Sequence, residues 1–374
     1  MTRGLRAWVV VCVCGLLGVR THAFDPDEDH GSPCGRTISR RIEHDGLQRE
    51  YFEYLPAAVC NKNTPVPVIF GLHCFGCPPT FFQKYGALAD AFNFILVTPV
   101  GVGRSWNAVH CCGEALERKL DDVGFVHAVL RDVEHKHAPL VSDAVFAVGW
   151  SNGGYLATLL AMQPGTPFKG IAPISGYQYD GFSHLAHTMP IFLHHSRDDD
   201  FVRYTGCCTD PTKPECCCKI SEKSPEECVD ARTAFNEWAA FVNQCDKPEN
   251  APTSHTEHAQ VAECYTARGC TAESAICIYD GYHHFQAGFP EEMDREIAHF
   301  FMNEACRLAG GYWDRRLMVC GPRGYKAMHD RAPPPPINRL LPGMRLKNVT
   351  AIRRPHYISR FRDRDRTSVA GANT

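Results

Sequence analysis

The segment VFAVGWSNGGYLATLLA (145–161) contains a serine whose setting suggests chemistry. An apolar, β-branched run ends in Gly149-Trp150-Ser151-Asn152-Gly153, and a helical pattern begins at once. A G-x-S-x-G turn between strand and helix forces the serine hydroxyl out above the sheet edge. The next amide, on Asn152, then lies at a helix start, where it can hold an oxyanion. Such a serine is a candidate nucleophile, and acyl transfer is the reaction it suits.

A serine hydroxyl needs a base, and the base needs an acid to orient it. In a strand–elbow–helix architecture both should follow the serine in sequence, each just beyond a later strand. PIFLHHSRDDDFVRY (190–204) ends a strand near His195 and offers Asp198, Asp199 and Asp200. AICIYDGYHHF (275–285) ends near Gly281 and offers His283 and His284. Spacing does not choose among the three aspartates or between the two histidines.

The elements that must position these groups alternate along the chain. Short apolar strands are expected at 66–73, 94–99, 143–149, 170–175, 190–195 and 275–281. Helical spacing is expected at 121–137, 153–162 and 290–305, the last with proline in its first turn. Continuous apolar strands alternating with helices predict an α/β fold, a mostly parallel sheet covered on both faces.

Composition bounds the rest. The 374 residues are 44% apolar and 22% charged, enough for one large core. Net charge is −3, but residues 24–330 carry −14 and 331–374 carry +8. An acidic globule is a poor partner for nucleic acid. Arg3 and Arg6 followed by AWVVVCVCGLLGV (7–19) read as a signal peptide over residues 1–23, and no later run is long and apolar enough to span a membrane. Secretion into the extracellular space is therefore expected. Of 20 cysteines, 18 follow that segment, an even number suited to pairing in an oxidising compartment. Adjacent cysteines, such as Cys111 and Cys112, are expected to bond distant partners. The cysteine-dense stretch at about 205–230 reads as a disulfide-tied insertion in a catalytic domain spanning 24–330, and no metal or other cofactor is expected. The basic tail 331–374, predicted to be disordered, carries the glycosylation sequon Asn348-Val349-Thr350 and could contact anionic surfaces.

The segments GLHCFG, LVTPVG, SWN, CCG, DDVGF, GWSNGG, HHSRDDDFVRY, EWAAFVNQC and GYHHF run in order from about 45 to 305. Together they resemble the secreted esterase family that holds feruloyl esterases and polyhydroxybutyrate depolymerase-like enzymes. That resemblance implies an α/β-hydrolase fold, disulfide-rich, with catalytic Ser151, Asp199 and His283. It also implies oxyanion donors at the amides of Asn152 and of Cys74 or Phe75. Trp106, Trp150, His284 and Phe285 become candidates for the substrate pocket, with Trp106 packed against Cys111 or Cys112 as the alternative. The sequence departs from the family at H-C-F-G, where Cys74 stands in place of glycine and a Cys74–Cys77 bond would rigidify the loop. It departs again at Phe285-Gln286, after the base. The implied activity is hydrolysis of feruloyl, hydroxycinnamoyl or related polysaccharide-linked esters. Alternatives are a polyhydroxyalkanoate depolymerase, or a non-catalytic binding protein on the same scaffold.

Overall fold

The computed structural model describes residues 34–60, 64–109, 111–178, 181–206, 229–246, 252–255, 263–284 and 290–322. These all lie in the first of two compact units, residues 1–325. The expected signal segment, nearly all of the 205–230 insertion, Phe285, Asn348 and the basic tail lie outside the described residues.

The described part begins with a hairpin that apolar alternation does not mark, β1 (Thr37–His44) and β2 (Leu47–Tyr54), followed by the short helix α1 (Ala57–Cys60). Then come β3 (Val66–Leu72), α2 (Gly86–Phe92), β4 (Ile95–Pro99), α3 (Gly113–Glu117) and α4 (Asp122–His137). The central part is β5 (Val141–Trp150), α5 (Asn152–Met162), β6 (Phe168–Ile174), β7 (Ile191–Ser196) and α6 (Ala231–Glu237). Last are β8 (Pro252–His255), β9 (Glu263–Thr266), β10 (Ser274–Tyr279), α7 (Glu291–Leu308), β11 (Gly311–Asp314) and β12 (Val319–Pro322).

Among the described residues, ten strands form one sheet in the order β1-β2-β4-β3-β5-β6-β7-β10-β9-β8. The run from β4 to β10 is parallel, and the flanking strands at both ends are antiparallel. The antiparallel edges had little signature, because a half-exposed strand such as TISRRIEH mixes charges with its apolar residues. The core strands are buried along nearly their whole length, which is why they read as continuous apolar runs.

Side chains alternate between two apolar layers. Val68, Phe70, Val145 and Ala147 pack with Phe125 and Val129 of α4 and with Leu156 and Leu160 of α5. Ile69, Phe146 and Val148 point the other way, toward Phe92 of α2 and Ile297 and Phe301 of α7. The chain moves outward from β3 to β4, then returns past β3 to β5. Strand order therefore reverses between β3 and β5, and the crevice at the carboxyl ends of these strands is where such a sheet binds ligands.

Among the described residues, six disulfides tie this frame: Cys34–Cys60, Cys74–Cys77, Cys111–Cys112, Cys245–Cys270, Cys264–Cys277 and Cys306–Cys320. The expectation that adjacent cysteines seek distant partners fails at Cys111 and Cys112, which bond each other. Both are buried in one turn that holds their side chains together: the Cys111 carbonyl accepts from the Ala108 amide and Asn152 Nδ2, and the Cys112 amide donates to the Trp106 carbonyl.

Candidate active site

Ser151 stands between the last residue of β5 and the first of α5. Its backbone is in the left-handed half of conformational space, at φ 54° and ψ −118°. A non-glycine residue there is strained, and the surroundings must hold it in place. The Ser151 amide donates to the Ile174 carbonyl of β6, and its carbonyl accepts from Gly154 and Tyr155. Gly149 and Gly153 are required here: a Cβ at Gly149 would overlap the Gly153 carbonyl, and one at Gly153 would overlap the carbonyls of Leu72 and His73.

The loop after β7 supplies three consecutive aspartates, and each has a different task. Asp199 Oδ1 accepts from the amides of Phe201 (2.9 Å) and Val202 (2.8 Å), which fixes the carboxylate. Its Oδ2 lies 2.8 Å from His284 Nδ1. Asp198 Oδ2 accepts from the Gly281 amide, and Asp200 Oδ1 from the His284 amide at 3.2 Å. The acid loop therefore clasps the loop after β10 at both ends.

His284 Nε2 lies 2.8 Å from Ser151 Oγ. A carboxylate only accepts, so Nδ1 of His284 carries the proton, and Nε2 is left to accept from the serine hydroxyl. The Phe201 ring stacks on the imidazole at 5.3 Å. This arrangement replaces the expected one. His283, the residue first assigned as base, points outward: its side chain is 49% exposed and its Nδ1 is 3.9 Å from Asp200. His284, first placed in the pocket wall, is the histidine brought to Ser151 and Asp199. The two are neighbours on an irregular loop after Gly281, whose φ of +81° turns the chain, so they face opposite ways.

Burial pushes the Asp199 carboxyl up. The hydrogen bond and charge of His284, the charge of His195 and the Phe201 amide outweigh burial and leave it below the usual carboxylate range. The group is therefore ionised and can stabilise an imidazolium.

The proposed oxyanion loop is built by His73. Gly101 donates its amide to His73 Nε2 (2.9 Å), so Nδ1 carries the proton and donates to the Cys74 carbonyl (2.9 Å). Burial lowers the His73 pKa to about 4, so this ring is a neutral strut and not a base. Cys74 is buried and bonded to Cys77, while Phe75 is 42% exposed.

Trp106 does not line a pocket. Its side chain is fully buried, and its indole Nε1 donates to the His73 carbonyl. Asn152 completes the joint: its Oδ1 accepts from the Trp106 amide (2.7 Å), and its Nδ2 donates to the Trp106 (3.0 Å) and Cys111 (2.7 Å) carbonyls. This side-chain role of Asn152 escaped the sequence, which marked only its amide. Trp150 is nearly buried, edge-on to Phe81.

Over 174 residues, 45% of this chain and 24% of the relative, the sequence is 26% identical to a bifunctional acetylxylan esterase/xylanase of Neocallimastix patriciarum. The chain thus spans about a quarter of the length of that curated relative. Among solved structures, the acetyl xylan esterase from Aspergillus awamori aligns with a TM-score of 0.47 and 14% identity, over 70% of this chain and 99% of that one. A ferulic acid esterase aligns with a TM-score of 0.35 and 16% identity, over 44% of this chain and 80% of that one. No protein-family model matches the chain. The strand order, the elbow after β5, and an aspartate and a histidine on the loops after β7 and β10 identify the chain as an α/β-hydrolase-fold protein.

Proposed function

We propose that this chain is a secreted serine esterase that cleaves acyl groups ester-linked to plant polysaccharide. The carrying observation is the pair of 2.8 Å contacts that join Ser151 to His284 and His284 to Asp199 on a strained elbow. The sequence similarity to an acetylxylan esterase/xylanase supports the substrate class, and the six disulfides among the described residues support an oxidising compartment. No helix among the described residues is long and apolar enough to cross a membrane.

In this reading His284 Nε2 takes the Ser151 proton as the hydroxyl attacks the ester carbonyl. Asp199 holds the ring in the required tautomer and stabilises the imidazolium. The amides of Asn152 and of Cys74 or Phe75 receive the developing oxyanion. His284 then gives that proton to the sugar oxygen as its bond to the acyl carbon breaks, and the sugar leaves as a free hydroxyl. Water, activated by the same nitrogen, attacks the acyl-enzyme and releases the carboxylic acid.

The test is a substrate panel on the secreted, oxidised protein: p-nitrophenyl acetate, acetylated xylan, methyl ferulate and hydroxybutyrate oligomers, with Ser151→Ala as control. Release of acetate or ferulate by the parent alone is the expected result. Turnover only of hydroxybutyrate oligomers would replace the substrate class. No turnover, together with no Ser151 labelling by a fluorophosphonate, would overturn the enzyme reading.

A further inference from the structure

On the face of the sheet that carries α7, a cleft of about 910 Å³ opens over the antiparallel end of the sheet. Its floor is Cys264 and Thr266 of β9 with Ala275, Cys277 and Tyr279 of β10. The hollow has a simple origin: these floor side chains are mostly short, and Cys264 and Cys277 are bonded across the two strands. One wall is the polar side of α7, and the other is the β11–β12 hairpin.

Both walls are fixed before any ligand arrives. Cys306 of α7 is bonded to Cys320 of β12, and Trp313 Nε1 donates to His299 Nδ1 of α7 at 3.1 Å. The Arg315 guanidinium holds both carboxylate oxygens of Glu296, each at 2.6 Å. At the inner end, Asn303 donates to Glu273 at 3.1 Å. A pre-organised site loses little entropy on binding.

The lining chemistry narrows the ligand. Tyr282, Tyr312 and Phe192 supply half-buried aromatic surface. Glu292, Glu296, Arg295, Arg315 and Asn303 supply planar groups that accept or donate in pairs. Positive and negative side chains are nearly balanced, so the cleft favours neither an anion nor a cation. Aromatic faces interleaved with planar hydrogen-bonding groups suit the apolar ring faces and vicinal hydroxyls of a neutral sugar chain. Tyr282 in the cleft lies two residues before His284, so the cleft ends where the base loop begins.

We propose that this cleft binds the unsubstituted backbone of the polysaccharide whose esters the Ser151 centre cleaves. The inference rests on the esterase reading for its choice of polymer, and it adds a second attachment point on the α7 face. The cleft holds the polymer by ring stacking and hydroxyl contacts, without taking part in the chemistry.

The experiment uses the full chain carrying Ser151→Ala, run in native gels containing soluble deacetylated xylan. Retarded migration is expected. Tyr312→Ala removes one stacking face, and Glu292→Ala, at an exposed helix position, removes a hydroxyl partner without touching the core. Each should weaken retardation by roughly three- to tenfold, the scale of one aromatic or hydrogen-bonded contact. No retardation of the parent, or undiminished retardation of both folded variants, overturns the proposal. Hydrolysis of p-nitrophenyl acetate by the same variants with Ser151 intact reads the esterase separately. Hydrolysis without xylan retardation overturns the cleft alone. Variant-sensitive retardation without turnover of any ester in the panel and without Ser151 labelling upholds the cleft and overturns the esterase.

Discussion

Ser151 Oγ and His284 Nε2 meet at 2.8 Å across 133 residues of sequence, while His283, one residue nearer in the chain, faces solvent. The contact is made by two loops that are themselves bound together. Asp198 and Asp200 grip the backbone of the base loop, and Asp199 between them grips the ring.

This contact separates the two histidines by experiment. Ser151→Ala and His284→Ala should each lower kcat/KM on p-nitrophenyl acetate by on the order of 10⁴-fold or more. His283→Ala should stay within about threefold of the parent, as solvated side chains do. The reverse order for the histidines would mean that His283 is the base.

The three aspartates should also separate. Asp199→Asn leaves a side chain that no longer orients the Nδ1–H tautomer, and kcat should fall by on the order of 10⁴-fold. Asp200→Ala loses only a backbone grip, so a loss of roughly ten- to a hundredfold is expected, the scale of a slightly misplaced base. Equal losses in the two variants would contradict the division of tasks.

Asn152 joins the elbow to the Trp106 and Cys111 turn through three buried hydrogen bonds. In Asn152→Ala the Trp106 amide loses its partner, and the Trp106 and Cys111 carbonyls keep only the Cys112 and Ala108 amides. The expected cost is about 3 kcal/mol, or a Tm lower by roughly 10 °C. A thermal melt with Tm unchanged would show that the joint contributes little.

Stability should fall in acid. Burial lowers the pKa of His73 to about 4 and that of His194 to about 3, and lowers His195 as well. Below about pH 6.5 the unfolded chain binds protons that the fold excludes, so stability drops as pH falls. For His73 the loss starts near pH 6.5 and reaches its full size, about 3 kcal/mol, once pH is below about 4. Asp199, depressed in the fold, adds a loss at still lower pH as it takes up a proton. Above pH 6.5 these groups contribute no slope. A Tm that stays level from pH 7 to pH 4 would contradict this account.

Much of the frame was legible because its causes are local. Buried parallel strands spell themselves as apolar runs, and α4 and α7 show helical spacing. The elbow at Ser151 depends on glycines two residues to either side, which only that sharp turn requires. The hairpin of β1 and β2 was missed because a strand exposed on one face carries as many charges as a loop.

The sequence alone carried the α/β layering, the elbow serine and the short segments in which Asp199 and His284 fall. It did so through periodicity and backbone geometry, which act over a few residues. The folded arrangement turns His284 inward and His283 outward, bonds Cys111 to Cys112 and makes Trp106 a buried strut. It also decided that short side chains on β9 and β10 leave a cleft beside α7. Those outcomes depend on what stands across the gap from each side chain, and loop residues without periodicity carry no record of that partner.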